Sequence, residues 1–473
     1  MKNLNFDCFL KHQYLIILIF FYTGCTSSSN DIIKEYSVGL HNSNELKIQI
    51  NATTNEKVEV SIEYWANTDN VRKIRTAFSA KGLIHSFILC NISAKTNYLF
   101  HFVTIKDGIK NISKVYAFHS NALPDWLQNQ FQFSCQKPDS LPREFKAGLM
   151  LLNKREIPGG IYIVDYKGML RWYEVFKTKG VKVVHLTKDT TIIAILGKYN
   201  EPTSYGSEIL EVNLLGDTLL HLVKGQADFT HTIHHEIIKK SKEEIVTLYV
   251  DKRILDLRPI GGNKTDTIKG DGIIILDRNG NKIWQWSVFD VMNPLKDINL
   301  LKSKNDWMHA NSLNFDKDSN FIISFYNNGQ IWKIDSHTGK VIWKFGKGGN
   351  IAKPPECNFT EAHAAHINHD GDLMFFDNGV KNQQSQIFAL KLDENKYLSK
   401  LAIHIKLPVE LFNERMGSAY MVGDSTILCC CSKRDATILL NKKGDILWRL
   451  ETKIKPYRVE FLKQEMLMSY IRQ

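Results

Sequence analysis

The chain has 473 residues, with 61 Lys and Arg against 50 Asp and Glu, a net charge of +11, 11% aromatic and 23% charged residues. That length accommodates two or three domains with a large core, and the composition is that of a globular protein. The positive charge is scattered among acids and forms no basic stripe interleaved with aromatics, which argues against a nucleic-acid surface and leaves only a mild attraction for anionic ligands.

In chain order, Lys2, Lys11 and His12 precede the apolar run Leu15-Ile-Ile-Leu-Ile-Phe-Phe-Tyr22, which is too short to cross a bilayer of about 30 Å. The following Thr23-Gly24-Cys25 resembles a bacterial lipobox. Residues 1–24 therefore read as a lipoprotein signal peptide, Cys25 as the lipidated residue, and 25–34 as a polar tether. The expected place is the bacterial cell envelope, lipid-anchored and facing the periplasm or the surface. Residues 35–121 carry short alternating runs such as Leu46–Ile50, Val58–Tyr64 and Tyr98–Val103, separated by turn residues, and predict a small antiparallel β-sandwich. Ile92-Ser-Ala-Lys-Thr-Asn-Tyr98 resembles the tyrosine corner of fibronectin-type modules. A homodimer contact through this sandwich is compatible with the residues and demanded by none. Leu123-Pro124-Asp-Trp126 marks the boundary.

Residues 125–473 contain a repeat: an apolar strand, Asp or Asn, a tight turn often holding Gly, and a second apolar strand often holding Trp. The marker residue is Asp165, Asn213, Asp277, Asp335, Asp393 and Asn441, at intervals of 48, 64, 58, 58 and 48 residues. A period near 50 is that of four-stranded propeller blades, so six copies predict six blades, with each Asp-x-x-Gly turn joining two outer strands. The fold class is thus all-β: a six-bladed β-propeller preceded by a small sandwich.

Between these hairpins lie histidine segments: His231-Thr-Ile-His234-His235-Glu236, Asp306-Trp-Met-His309-Ala-Asn311-Ser312, and Ala362-His363-Ala-Ala-His366. Each precedes an apolar run and so opens a blade, where side chains can face the axis. His234 and His235 are adjacent, and strand alternation sends one of the two to the channel. His231, His366 and His369 read as structural, Asp306 and Asn311 as positioning groups, and Asp377-Asn378-Gly379 as a turn. Cys90, Cys135, Cys357 and Cys429-Cys430-Cys431 show no Cys-x-x-Cys spacing, and no metal site or cofactor is expected.

The segment Asp306-Trp-Met-His309-Ala-Asn311-Ser312, then Ser324, then Asp335-x-x-Thr-Gly339-Lys-Val-Ile-Trp343-Lys-Phe-Gly346, is similar to the arylsulfotransferase family, as are Ala362-His363 with Asp370–Gly379 and the paired His234-His235. The resemblance covers about residues 125–473. It implies a six-bladed propeller and a PAPS-independent reaction moving a sulfuryl group from an aryl sulfate donor to a phenolic acceptor. His363 would be the nucleophile and form a sulfohistidine. His309 and His234 or His235 would stabilise charge or shuttle protons. The family's arginine after the serine of the following strand is here Tyr326, which carries no charge near neutral pH. Arg415 and Arg458 are the cations expected to replace it, with Asn311 beside them on the substrate. The alternative is a propeller that binds an anionic or aromatic ligand without turnover.

Overall fold

The computed structural model describes residues 24–25, 32–42, 44–68 and 73–463. The leader lies outside them, and of the lipidation site only the backbone of Gly24–Cys25 is placed. The chain divides into two units, Met1–Leu89 with Lys95–Asn121, and Cys90–Ala94 with Ala122–Gln473.

The smaller unit is built on one long strand, Asn44–Ala66. The runs Leu46–Ile50 and Val58–Tyr64, read as separate strands in the sequence, belong to it together, because residues 51–57 hold no Gly or Pro to break the extension. Its first half pairs with Ile33–His41 and Gly82–Leu89, its second half with Asn97–Lys106. Ile48, Ile50, Val60, Ile62, Phe100 and Phe102 are buried at its centre. The first of these flanking strands begins at Ile33, within the span assigned to the tether, because Ile33 is itself buried.

The larger unit is a propeller of six sheets. Blades two to six run from inside outward in chain order, starting at Gly180–Leu186, Ile233–Lys239, Ala310–Phe315, Ala362–Ile367 and Ser418–Val422. Blade one is composite. Its inner strand, Val459–Leu462, comes from the end of the chain and pairs with Leu149–Lys154, which continues through Gly159–Asp165 to Leu170–Phe176. Phe131–Ser134 adds a fifth strand outside blade six. Both ends of the domain therefore latch the ring shut.

The repeat lies where the sequence predicts, on the two outer strands of each blade. The marker carboxylate or amide caps the turn: Asp165 Oδ1 accepts from the N–H of Lys167 and Met169 at 2.9 Å, and Asn441 Oδ1 from Lys443 and Asp445 at 2.9 and 3.0 Å. Five copies place a glycine with positive φ in this turn; the degenerate fifth-blade copy has Tyr397 there, at φ 53°. The tryptophans staple neighbours together. Trp172 Nε1 donates to Leu214 O at 2.8 Å, Trp286 to Gly339 O at 2.9 Å, and Trp448, on blade six, to Tyr166 O of blade one at 2.7 Å.

Apolar cores fill the intervals between blades. On the second strand of blade four, Phe321–Phe325, the residues Phe321, Ile323 and Phe325 pack toward blade three, and Ile322 packs toward blade five. Both faces of such a strand are buried, which is why the sequence reads there as an unbroken apolar run.

Candidate active site

The inner strands of blades three, four and five each carry an irregularity at their histidine. Register slips between His234 and Ile237, between Ala310 and Ser312, and between His363 and His366. The backbone is left-handed at His235 (φ 57°), His309 (φ 56°) and Ala364 (φ 52°). A β-bulge re-aims a side chain, and a non-glycine residue holds positive φ only where its surroundings enforce it. Three such bulges turn three imidazoles into one cavity.

That cavity has a volume of about 400 Å³ and is lined by His235, His309, His363, Tyr326 and Tyr457, among others. The rings form a chain. Centroids lie 5.0 Å apart for His235 and His309, 5.4 Å for His309 and Tyr326, and 5.3 Å for Tyr326 and His363. Tyr326 stands between the two histidines, and its hydroxyl donates to Glu414 O at 3.2 Å.

The tautomer of His363 follows from its partner. Asn378 Nδ2 donates to Asn413 O at 2.5 Å and Met416 O at 3.0 Å, so its Oδ1 faces His363 Nδ1 and must accept from it. The proton sits on Nδ1, and Nε2 keeps its lone pair. Burial, then the charges of His309 and Arg458, hold the His363 pKa well below the ordinary histidine range. Asn378, taken from the sequence as part of a turn, is thus a positioning residue for His363.

His309 is the opposite case. Burial pulls its pKa down, but the hydrogen bond from Nδ1 to Asp306 Oδ2 at 2.6 Å and the charges of Asp306 and Asp271 outweigh it, so the net shift is upward. His309 is the member of the trio that holds a second proton most strongly, and with Nδ1 engaged by Asp306 it is Nε2 that would carry a proton to donate. His235 is held well below its ordinary value by burial and by His309 and His234.

His234 and His235 do not simply alternate. The bulge brings their Nδ1 atoms to 2.8 Å, and both are buried. His235 lines the cavity; His234 lies behind it, with Nε2 3.4 Å from Asp271 Oδ1. Burial draws His234 down to about 4 and pushes Asp271 up to about 7.

Asn311 and Arg458, expected on the substrate, lie elsewhere. Asn311 is fully buried and its amide is spent: Nδ2 donates to Ala362 O at 2.9 Å and Oδ1 accepts from Ser324 at 2.5 Å. With Ser312 Oγ accepting from Ala365 N at 3.0 Å, it pins blade five to blade four on either side of His363. Arg458 is buried below the cavity, ion-paired with Glu236 and donating to Asn311 O at 2.6 Å. It lines a second cavity of about 380 Å³, which also holds His366. Tyr457 lines both cavities and donates to Asn311 O at 2.9 Å, forming a shared floor.

Arg415 does line the first cavity, with Lys433, Lys455 and Arg155, against only two acids, Glu156 and Asp306. Arg155 was not legible as a site residue. It follows Leu149–Lys154, the second strand of blade one, and that strand's distance from the axis depends on an inner strand more than 300 residues further along the chain. No disulfide links Cys90, Cys135, Cys357, Cys429, Cys430 or Cys431, and among the described residues no group of three or more His, Cys, Asp or Glu is placed to hold a metal.

The family model described as Arylsulfotransferase (ASST) matches residues 135–403. No curated protein matches the chain. Among solved structures it is similar to a protein of unknown function from Bacteroides caccae, at 9% identity over 67% of this chain and 98% of that one, TM-score 0.43. A streptogramin B lyase matches at 12% identity over 71% and 95%, TM-score 0.39. A protein from Lactobacillus plantarum matches at 13% identity over 86% and 100%, TM-score 0.35.

Proposed function

The chain belongs to the arylsulfotransferase family, and from that premise we propose that it moves a sulfuryl group from an aryl sulfate to a phenolic acceptor through a sulfohistidine at His363. The observation that carries this reading is the fixed tautomer of His363: a buried, neutral imidazole whose Nδ1 is held by Asn378 and whose Nε2 lone pair is free in a cation-lined cavity.

The steps balance with the residues present. His363 Nε2 attacks sulfur, forming the N–S bond as the S–O bond to the aryl group breaks. The departing phenolate takes the Nε2 proton of His309, whose positive charge Asp306 sustains. His235 and the cations of the cavity wall stabilise the sulfuryl oxygens. The acceptor phenol then enters, gives its proton to the now neutral His309, and attacks sulfur. The N–S bond breaks and His363 returns to its starting form.

The test is release of 4-nitrophenol from 4-nitrophenyl sulfate with and without an added phenol, beside His363→Ala, with mass spectrometry of acid-sensitive adducts after a rapid alkaline quench. Acceptor-dependent release, absent in the variant, with an added SO₃ on the peptide containing His363, is the expected result. Turnover that survives His363→Ala refutes the sulfohistidine. One observation favours the non-catalytic alternative, the neutral Tyr326 between His309 and His363. A well-folded protein that binds aryl sulfates but releases no phenol from any of them would establish it. We also propose that Cys25 is acylated and tethers the protein to the envelope; labelling with a fatty-acid analogue that persists in Cys25→Ser refutes this.

A further inference from the structure

The cavity contains a buried positive charge that forms no ion pair among the described residues. Arg155 is 6% exposed. Its Nε donates to Thr203 O at 3.2 Å, Nη2 to Ser204 Oγ at 2.8 Å, and Nη1 lies 2.9 Å from Met416 Sδ. All three partners are uncharged, and among the described residues Arg155 makes no ion pair. Arg458, equally buried, has Glu236. A buried cation without a counter-charge is strongly unfavourable unless something anionic joins it. A guanidinium carries five N–H groups, so three contacts leave two free to donate.

Its position says what that anion meets. Arg155 is the first residue after the second strand of blade one, Leu149–Lys154, and Tyr326 is the first after the second strand of blade four, Phe321–Phe325. In a six-membered ring these blades stand opposite each other. Both side chains line the cavity that holds His235, His309 and His363. The aromatic group at Tyr326 is flanked by the two histidines, and the charge faces them from across the funnel. The Arg155 guanidinium also lies 4.8 Å from the centre of the Tyr457 ring, a cation–π contact.

We infer that Arg155 is the residue that grips the sulfuryl oxygens of the donor, and of the group in flight, with its two free N–H groups. Arg155 undergoes no covalent change; it only donates hydrogen bonds, charge-assisted, to oxygens that gain negative character during transfer. The inference rests on the sulfuryl-transfer reading of this cavity, and the experiment separates the two.

Wild-type protein, Arg155→Gln, Arg155→Lys and Arg155→Gln with Tyr326→Arg are compared in two assays. The first is turnover of 4-nitrophenyl sulfate; the second is calorimetric titration with sodium sulfate at constant ionic strength. Arg155→Gln is expected to lose sulfate binding and to lower kcat/KM by about 10²-fold or more, with the melting temperature of the ligand-free protein unchanged or raised. Arg155→Lys, or the added Tyr326→Arg, is expected to return at least tenfold of the lost kcat/KM, which a merely structural role for Arg155 would not allow. Sulfate binding unchanged in Arg155→Gln overturns the inference, as does a loss of turnover that neither replacement cation repairs. If the wild type turns over no donor, the sulfuryl-transfer reading fails, and the sulfate titration still decides whether Arg155 is the anion site.

Discussion

Replacing Asp306 by Asn removes the charge that keeps His309 protonated while preserving a hydrogen-bonding side chain of the same shape. In the wild type, activity needs His363 neutral and His309 charged. The His363 pKa is depressed, so the acid limb, where that group would be protonated, lies well below the ordinary histidine range. The His309 pKa is raised, so activity is lost as pH rises through a value above that of an ordinary imidazole. A charge-assisted hydrogen bond is worth about 1.5–3 kcal/mol, and one pKa unit corresponds to about 1.4 kcal/mol. The Asp306 side chain is 48% exposed, so solvent screening places its contribution at the lower end, about 1.5 kcal/mol. Asp306→Asn should therefore move the basic limb of kcat/KM to lower pH and cost about tenfold on its former plateau. The loss should be larger for phenyl sulfate than for 4-nitrophenyl sulfate, because the weaker leaving group depends more on the proton. A basic limb that stays in place, or equal losses for both donors, would refute His309 as the acid.

Asn378→Ala should leave KM nearly unchanged and lower kcat by about 10²-fold, since His363 loses the acceptor that fixes its tautomer; single-turnover kinetics check it. Asn378→Asp should instead raise the His363 pKa and shift the acid limb of the pH profile upward. Glu236 is held at about 2, where burial opposes and Arg458 and His185 outweigh it, and Glu236→Gln would leave Arg458 buried and without its carboxylate. About 3–5 kcal/mol of stability should be lost, measured by denaturant unfolding of the full chain. For the same group the native pKa lies below the unfolded one, so its stabilisation is complete above about pH 5 and fades as pH falls toward about 2. His185 behaves inversely: burial lowers it, but Glu236 and Glu460 raise it to about 10, so its contribution is full below the unfolded value and fades as pH rises toward about 10. Truncation after Arg458 should abolish soluble expression, because it removes the inner strand of blade one, with the fully buried Val459 and Leu462, and exposes the buried Leu151 and Leu152 of the strand it pairs with.

Much of this architecture was written locally. The Asp or Asn turn, its glycine and the tryptophan recur because each outer hairpin must make the same turn and clasp the next blade, so the blade count was legible from residues 161–172 alone and their five echoes. His309 and His363 were legible too, since each opens an inner strand within a long distinctive segment. His234 against His235 was not. Strand alternation sends one of them to the channel without saying which, and the choice of His235 is made by the bulge between His234 and Ile237.

What the sequence determined by itself is therefore whatever rests on short-range chemistry: turns, apolar alternation and the histidines at the strand starts. The tertiary structure decided the rest. It made blade one from both ends of the chain and so set Arg155 opposite Tyr326. It spent the Asn311 amide on joining two blades and sent Arg458 below the floor. It turned Asn378 from a turn residue into the partner of His363. Each of these depends on a contact between residues far apart in the chain, and ring closure is what brings them together.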